Sequence, residues 1–396
     1  MKHRIVVLGA GYAGAYVAGN LARRLSPADT EITVVNAEPD FVERLRLHQL
    51  ATGQKLGALQ LADAFAGTGI QLRLARVTAV DPGRRVVTVA DSDGGGELGY
   101  DTLVYALGSR GDNSGLPGAA EYAFDISSRP SALRLRERLN SLGERGDVVI
   151  IGDGLTGIET AAEIAESRPD LSVTLIARGT LGARLSTGAR DHLRRTFDRL
   201  GVRVLEHTTA ESVEAERVLC ADGAVLAADA TVWTAGFAVD PIAAEAGLEV
   251  TDNGRIVVDR TMRSVSHPEV YAVGDAAYAV ADNGRPLPMS CASAGDTGRQ
   301  AIVAIIGRLT GREVRPTKLL YYGNHISLGR RDGIVQMVDD EGVAKPKYTG
   351  GRTAARVKSG IVRMSLWATA HPTFGLPKRK HRVTAVHAAS TTKARV

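Results

Sequence analysis

Residues Val148–Glu166 read VVIIGDGLTGIETAAEIAE: an apolar run of strand length, then Gly152, Gly154 and Gly157, then a helix-like amphipathic stretch. The same plan occurs earlier, in RIVVLGAGYAGAYVAGNLARRL from Arg4 to Leu25, with Gly9, Gly11 and Gly14 in the same spacing. In a strand–turn–helix setting, G-x-G-x-x-G gives a tight turn, close approach of a pyrophosphate and close helix–strand packing. The helix N-terminus then offers N–H donors and a favourable dipole to phosphates. One such motif is weak evidence. Two, each in its proper context, imply that one chain binds two nucleotides.

Bulk properties agree. At 396 residues the chain is long enough for two or three domains with a substantial core. Its 44% hydrophobic and 23% charged residues suit a soluble globular protein rather than a disordered or fibrous one. No apolar run reaches the ~18 residues of a spanning helix, and MKHRIVVLGAG reads as a first strand, not a secretory leader. The two cysteines, Cys220 and Cys291, form no close pair, so neither a disulfide framework nor a metal site is expected. The expected compartment is the cytoplasm. The net charge of +5 is unevenly spread, because residues 351–396 contain no Asp or Glu. Without a recognition motif or interleaved aromatics, nucleic acid is not an expected partner. A solvated basic tail and an anionic-membrane or partner surface both stay open.

The chain pattern is α/β. A strand over 4–9, a helix over 12–25 and the strand EITVVNAEP open a βαβ unit. Alternating short runs broken by Pro-Gly and Gly-Gly-Gly then read as antiparallel strands ending in TLVYALG. After a charged helix, SALRLRERL, the order repeats: DVVIIG, a helix over 156–167, SVTLIA, a helix over 188–200, VRVLEHT and a meander near RVLCADGAVLAADATVWTAG. YDTLVYALGS and ADATVWTAGF thus take equivalent places in two halves. Past Gly247, RIVVD, EVYAVGDAAY and a helix over 293–309 read as a return to the first half. Short strands (HISLGRRDGIVQMV) and a helix near 352–369 close the chain.

The two fingerprints, TLVYALGS and HPEVYAVGDAA together resemble the flavoproteins with two dinucleotide-binding domains, over roughly residues 3–335. Within that superfamily, FVERLRLHQLATG, GDGLTGIETAAEI, ADATVWTAGF and ISLGRRDGIVQMV are most similar to type II NADH dehydrogenases. The resemblance implies two Rossmann-like, three-layer ββα domains with a small C-terminal region. Residues 1–112 and 244–315 would bind FAD, 113–243 would bind NADPH or NADH, and 316–396 would be the C-terminal region. It implies that Gly9, Gly11 and Gly14 hold the FAD pyrophosphate, with Asn36, Arg44, Val77, Gly108, Gly274 and Asp275 completing the flavin site. Gly152, Gly154, Gly157, Arg178 and Gly236 would hold the nicotinamide dinucleotide.

Glu159 matches a glutamate that the family places near nicotinamide and flavin, in a catalytic role; alternatively it is an acid in a helix's first turn, serving the dipole. Arg44, Arg46 and His48 would lie near the isoalloxazine, with His48 stabilising negative charge on reduced flavin; alternatively they are ordinary helix-face cations.

Three departures stand out. Asn36 replaces the usual ribose-binding acid, with Glu38 nearby. Ala177 stands where an NADH-selective acid would be, with Arg178 beside it, which points to NADPH; a plain surface arginine is the other reading. PLPMSCASAGDTGRQA lacks glutamine at the front of the family's quinone-pocket motif, so Ser290 and Cys291 become the substrate-binding candidates, Cys291 also reading as a small buried residue. No C-x₄-C follows the first strand pair and no cysteine falls in 41–48, which argues against dithiol and CoA-disulfide chemistry. In the last helix Ala354, Val357, Ile361 and Met364 share one face and Arg352, Arg356 and Arg363 the other. Packing on the flavin domain and peripheral contact with the inner face of a membrane, with Trp367 at the interface, are the two readings.

The expected function is transfer of hydride from nicotinamide to flavin, then of electrons to a quinone or other small acceptor. A specialised flavoenzyme acting on a pathway intermediate and a non-enzymatic electron relay remain alternatives, and a homodimer is left open.

Overall fold

The structure, a computed structural model, describes residues 1–92, 94–112, 115–315, 317–375 and 380–384. Most of the basic tail lies outside the described residues.

Two five-stranded parallel sheets organise the chain. The first runs Val270–Ala272, Thr102–Tyr105, His3–Leu8, Thr30–Asn36, Ile70–Leu74. The second runs Ala123–Asp125, Ala230–Trp233, Asp147–Ile151, Ser172–Ile176, Arg203–Leu205. Both are covered on both faces, which is why RIVVL, TLVY and DVVII are near-continuous apolar runs. Ile5, Val7, Leu8, Leu103 and Val104 are inaccessible to solvent in the first core, as are Val148, Ile150 and Val232 in the second.

The duplication extends to the return connections. Arg76–Asp81, Val86–Ala90 and Gly96–Gly99 form an antiparallel meander before Thr102–Tyr105. Ala210–Val213, Arg217–Cys220 and Val225–Ala227 do the same before Ala230–Trp233. TLVY and ATVW thus occupy equivalent strands. The edge strand differs between halves: the first sheet takes Val270–Ala272, late in the chain, beside Thr102–Tyr105. In the strand expected at RIVVD, Ile256–Val257 pairs with Ala277–Tyr278 and Val258 bridges to Ser264.

The chain passes between the halves twice. The two passages pair antiparallel, Arg110 with Ala238 and Gly111 with Phe237. This ribbon fixes the fingerprints facing a common space.

The C-terminal part adds a sheet of Gly323–Ser327, Gly333–Met337 and Thr349–Gly350, and then the helix Gly351–Ala370. No helix among the described residues is long and apolar enough to cross a membrane. The inward face of the last helix is not the expected one. Ala354, Val362 and Thr369 are buried, with Lys358 and Ser365 partly so, whereas Val357, Ile361 and Met364 are exposed. The face that packs carries a lysine and two hydroxyls, Lys358 bonding Glu159 and the His325 carbonyl.

Candidate active site

Gly9 and Gly152 each end a strand in left-handed backbone, at φ +93° and +112°. A Cβ on Gly14 would lie 1.9 Å from the Gly9 carbonyl oxygen, and one on Gly157 1.8 Å from that of Gly152. These glycines let each helix sit on its own turn. Gly11 and Gly154, at the helix N-caps, have open space where a Cβ would be. Neither helix Tyr12–Arg24 nor Leu155–Ser167 has a side-chain cap or a first-turn acid. By contrast, Ser128, Ser186 and Ser290 cap Arg129–Ser141, Thr187–Leu200 and Cys291–Thr310. The fingerprint helices thus present uncapped N–H groups over glycine, as a pyrophosphate requires.

A cavity of about 290 Å³ lies between the halves. It is lined from the first half by Gly9, Gly11, Asn36, Arg44, His48, Gly108, Gly274, Asp275, Ser290 and Cys291, and from the second by Glu159 and Gly236. A second cavity, about 210 Å³, shares Gly9, Asn36, Leu107 and Gly108 with the first and continues to Val77 and Ile242. Together they make an elongated cleft along the first fingerprint turn. Gly14, Gly152, Gly154, Gly157 and Arg178 do not line it; the first four build the turns, and Arg178 is exposed at the far end of Ser172–Ile176.

Arg44 and Asp275 belong to one network. Ser109 Oγ donates to Asp275 Oδ2 at 2.6 Å, Arg44 donates to the Ser109 carbonyl at 2.7 Å, and the Arg44–Asp275 separation is 4.0 Å. The Gly274 N–H is anchored on Thr297 Oγ1 at 3.0 Å. Arg46 turns away, bonding Gln49 at 2.8 Å and Glu43 at 3.3 Å. Asn36 Oδ1 accepts from the Ala10 N–H at 2.8 Å, leaving one lone pair for a ligand.

His48, in the short helix Leu47–Ala51, is buried with Nε2 unpaired. Burial pushes its pKa down; Glu159 and Glu163 pull it up, and Lys358 and Arg46 oppose them. The side chain is therefore a neutral imidazole at neutral pH, which argues against the reading of it as an ordinary helix-face cation.

Glu159 is a full turn inside its helix and buried, which corrects the reading of a first-turn acid serving the dipole. Its Oε1 accepts from the Ser327 N–H at 2.8 Å and pairs with Lys358 Nζ. Lys358 also donates to the His325 carbonyl at 2.7 Å. Lys358 was missed because a lone lysine in a basic helix reads as solvated; its place in the row with Ala354 and Val362 was the available signal.

Cys291, first residue of its helix, is half-buried at the cavity wall rather than sunk in a core. Burial raises its pKa to about 11, so it stays a thiol. Ser290 caps that helix, its Oγ accepting from the Ser293 N–H at 3.1 Å. Among the described residues no cluster of His, Cys, Asp or Glu can hold a metal ion.

The comparisons with known proteins agree with this geometry. The pyridine nucleotide-disulphide oxidoreductase family model matches residues 3–298. An NADH dehydrogenase-like protein of Mycobacterium tuberculosis is 30% identical over 384 residues, covering 90% of this chain and 92% of its own. A type II NADH:quinone oxidoreductase of Staphylococcus haemolyticus is 26% identical, covering 91% and 94%. The sulfide:quinone oxidoreductase of Aquifex aeolicus shares the fold, with TM-score 0.80 over 93% of this chain and 92% of its own at 19% identity. On these matches the chain belongs to the pyridine nucleotide-disulphide oxidoreductase family, as an FAD-dependent NAD(P)H oxidoreductase of the type II NADH dehydrogenase kind.

Proposed function

We propose that the acceptor is a quinone, taken at the cavity wall around Ser290 and Cys291, and that Glu159 with Lys358 supplies its proton. The relatives named as quinone reductases support this reading. The observation that carries it is the buried Glu159–Lys358 pair, whose side chains are only 10% and 13% exposed, with Glu159 lining the cavity.

In this reading the Gly9–Gly14 turn holds the FAD pyrophosphate, Asn36 and Val77 flank its adenosine, and Arg44, Gly108, Gly274 and Asp275 fix its polar chain. The Gly152–Gly157 turn holds the nicotinamide dinucleotide, and Gly236 shapes the passage between them. The division of labour follows 1–112 with 244–315 for FAD, 113–243 for NAD(P)H and 316–396 for the acceptor side. When bound, the two cofactors supply the hydride chemistry.

The chain supplies the rest. NAD(P)H + H⁺ + quinone → NAD(P)⁺ + quinol takes up one proton per turnover. An ammonium shared between Glu159 and a backbone carbonyl can hold that proton at the edge of the cavity. His48 adds a neutral nitrogen inside the cavity, able to donate or accept at Nε2 but carrying no charge.

The exposed stripe of Val357, Ile361, Met364 and Trp367 lies on the same helix, with Arg356 and Arg363 exposed beside it. A face of this composition suits an anionic lipid surface, where a lipid-soluble quinone is found. We therefore place the protein peripherally on the cytoplasmic face of a membrane.

Steady-state NADH oxidation with a short-chain quinone tests the reading. Lys358→Met is expected to lower quinone-dependent kcat about 10²-fold, with Lys358→Arg similarly impaired because a guanidinium keeps its proton, and with flavin reduction by NADH unchanged. A wild-type quinone rate in Lys358→Met contradicts the proton-holding role. Flavin that NADH reduces but no quinone reoxidises contradicts the choice of acceptor and favours a pathway intermediate.

A further inference from the structure

The duplicated halves allow a comparison within the molecule. Leu8 pairs with Val35, and Ile151 with Ile176. The Gly9 N–H donates to the Val35 carbonyl at 2.7 Å, and the Gly152 N–H to the Ile176 carbonyl at 3.1 Å. Asn36 and Ala177 therefore hold equivalent places beside their fingerprint turns. Asn36 closes its strand end by accepting from Ala10. Ala177 has no polar side-chain atom to do the same, so no side chain at that place can accept a ribose 2′-hydroxyl or repel a phosphate.

What surrounds Ala177 is cationic and polar. Arg178 is exposed, and no carboxylate among the described residues pairs with it. The Thr208 N–H bonds the Ala177 carbonyl at 3.0 Å, and the His207 N–H reaches the Gly179 carbonyl at 3.4 Å. Thr180 Oγ1 and His207 Nε2 stand 3.5 Å apart. The nearby acid is already engaged: Glu206 Oε1 accepts from the Leu181 N–H at 2.7 Å and from Arg194 at 2.6 Å. It does not neutralise Arg178.

We propose that this rim is a 2′-phosphate subsite, with Arg178 pairing with the phosphate and Thr180 and His207 at its edge, so that the preferred donor is NADPH. A guanidinium fork matches a phosphate bidentately, whereas an acid in the place of Ala177 would select the unphosphorylated ribose. The inference rests on reading Gly152–Gly157 as the nicotinamide dinucleotide turn and is independent of the acceptor.

The test uses the FAD-loaded full chain and two nucleotides that lack nicotinamide. By calorimetry, 2′,5′-ADP is expected to bind about tenfold or more tighter than 5′-ADP. In Arg178→Ala that ratio should fall to about one while 5′-ADP affinity is retained, which shows the domain intact. The NADPH/NADH ratio of kcat/KM should fall in parallel. Equal affinities in the wild type, no 2′,5′-ADP binding, or a preference that survives Arg178→Ala each overturn the subsite. If the 2′,5′-ADP preference is present but neither donor reduces the flavin, the subsite stands and the reductase reading fails. If NADH reduces the flavin and the nucleotides bind equally, the reverse holds.

Discussion

His48 shows how a single residue's surroundings decide its charge. It faces two carboxylates, yet burial outweighs them, and its pKa falls below the ordinary 6.5. His325 shifts the same way, through burial and then Lys358, and His3 through burial. The sign follows from linkage. The unfolded chain protonates these imidazoles first, so stability is full above pH 6.5 and is lost as pH falls below it. Each such proton contributes at most about 1.4 kcal/mol per pH unit. Urea unfolding of wild type and His48→Gln between about pH 7 and 5 should show the variant losing stability less steeply on acidification. Parallel profiles would mean that His48 is not held neutral by burial. From sequence, the charge of His48 could not be read, because charge depends on the depth of Leu47–Ala51 in the assembled core.

At the scale of elements, the last helix separates what periodicity reveals from what it conceals. The apolar positions at helical spacing were legible, as was the alternation with arginine. Which face turns inward was not, because the inward row contains Lys358, Ser365 and Thr369 and its partners lie in distant segments, at Glu159 and His325. The outward row leaves Met364 71% exposed and Trp367 45% exposed, Trp367 stacking on His371 at 4.7 Å. Met364→Glu, far from the cavity pair, is expected to weaken sedimentation with phosphatidylglycerol vesicles about tenfold without altering flavin reduction in solution. Binding that is unchanged, or equal on phosphatidylcholine, contradicts a lipid-facing stripe. A wild-type dimer mass in size-exclusion chromatography that Met364→Glu reduces to monomer would assign the stripe to a homodimer instead.

For the whole molecule, the duplicated plan was open to reading because glycine spacing, buried apolar strands and the TLVYALG/ATVWTAG correspondence are local signals. The way the halves face one another was not. It depends on the ribbon pairing Arg110–Gly111 with Phe237–Ala238, strands too short to announce themselves. That ribbon brings Glu159 and Gly236 into one cavity with His48, Arg44, Asp275 and Cys291, and it explains why one chain carries two fingerprints. In the proposed division of labour, the second brings an electron donor to the flavin held by the first. Anaerobic mixing of the purified protein with NADPH, and separately with NADH, tests this most directly when flavin absorbance is followed before and after adding a quinone. The account predicts rapid bleaching, faster with NADPH, and recovery on addition of quinone. A flavin that stays oxidised with both donors would contradict it.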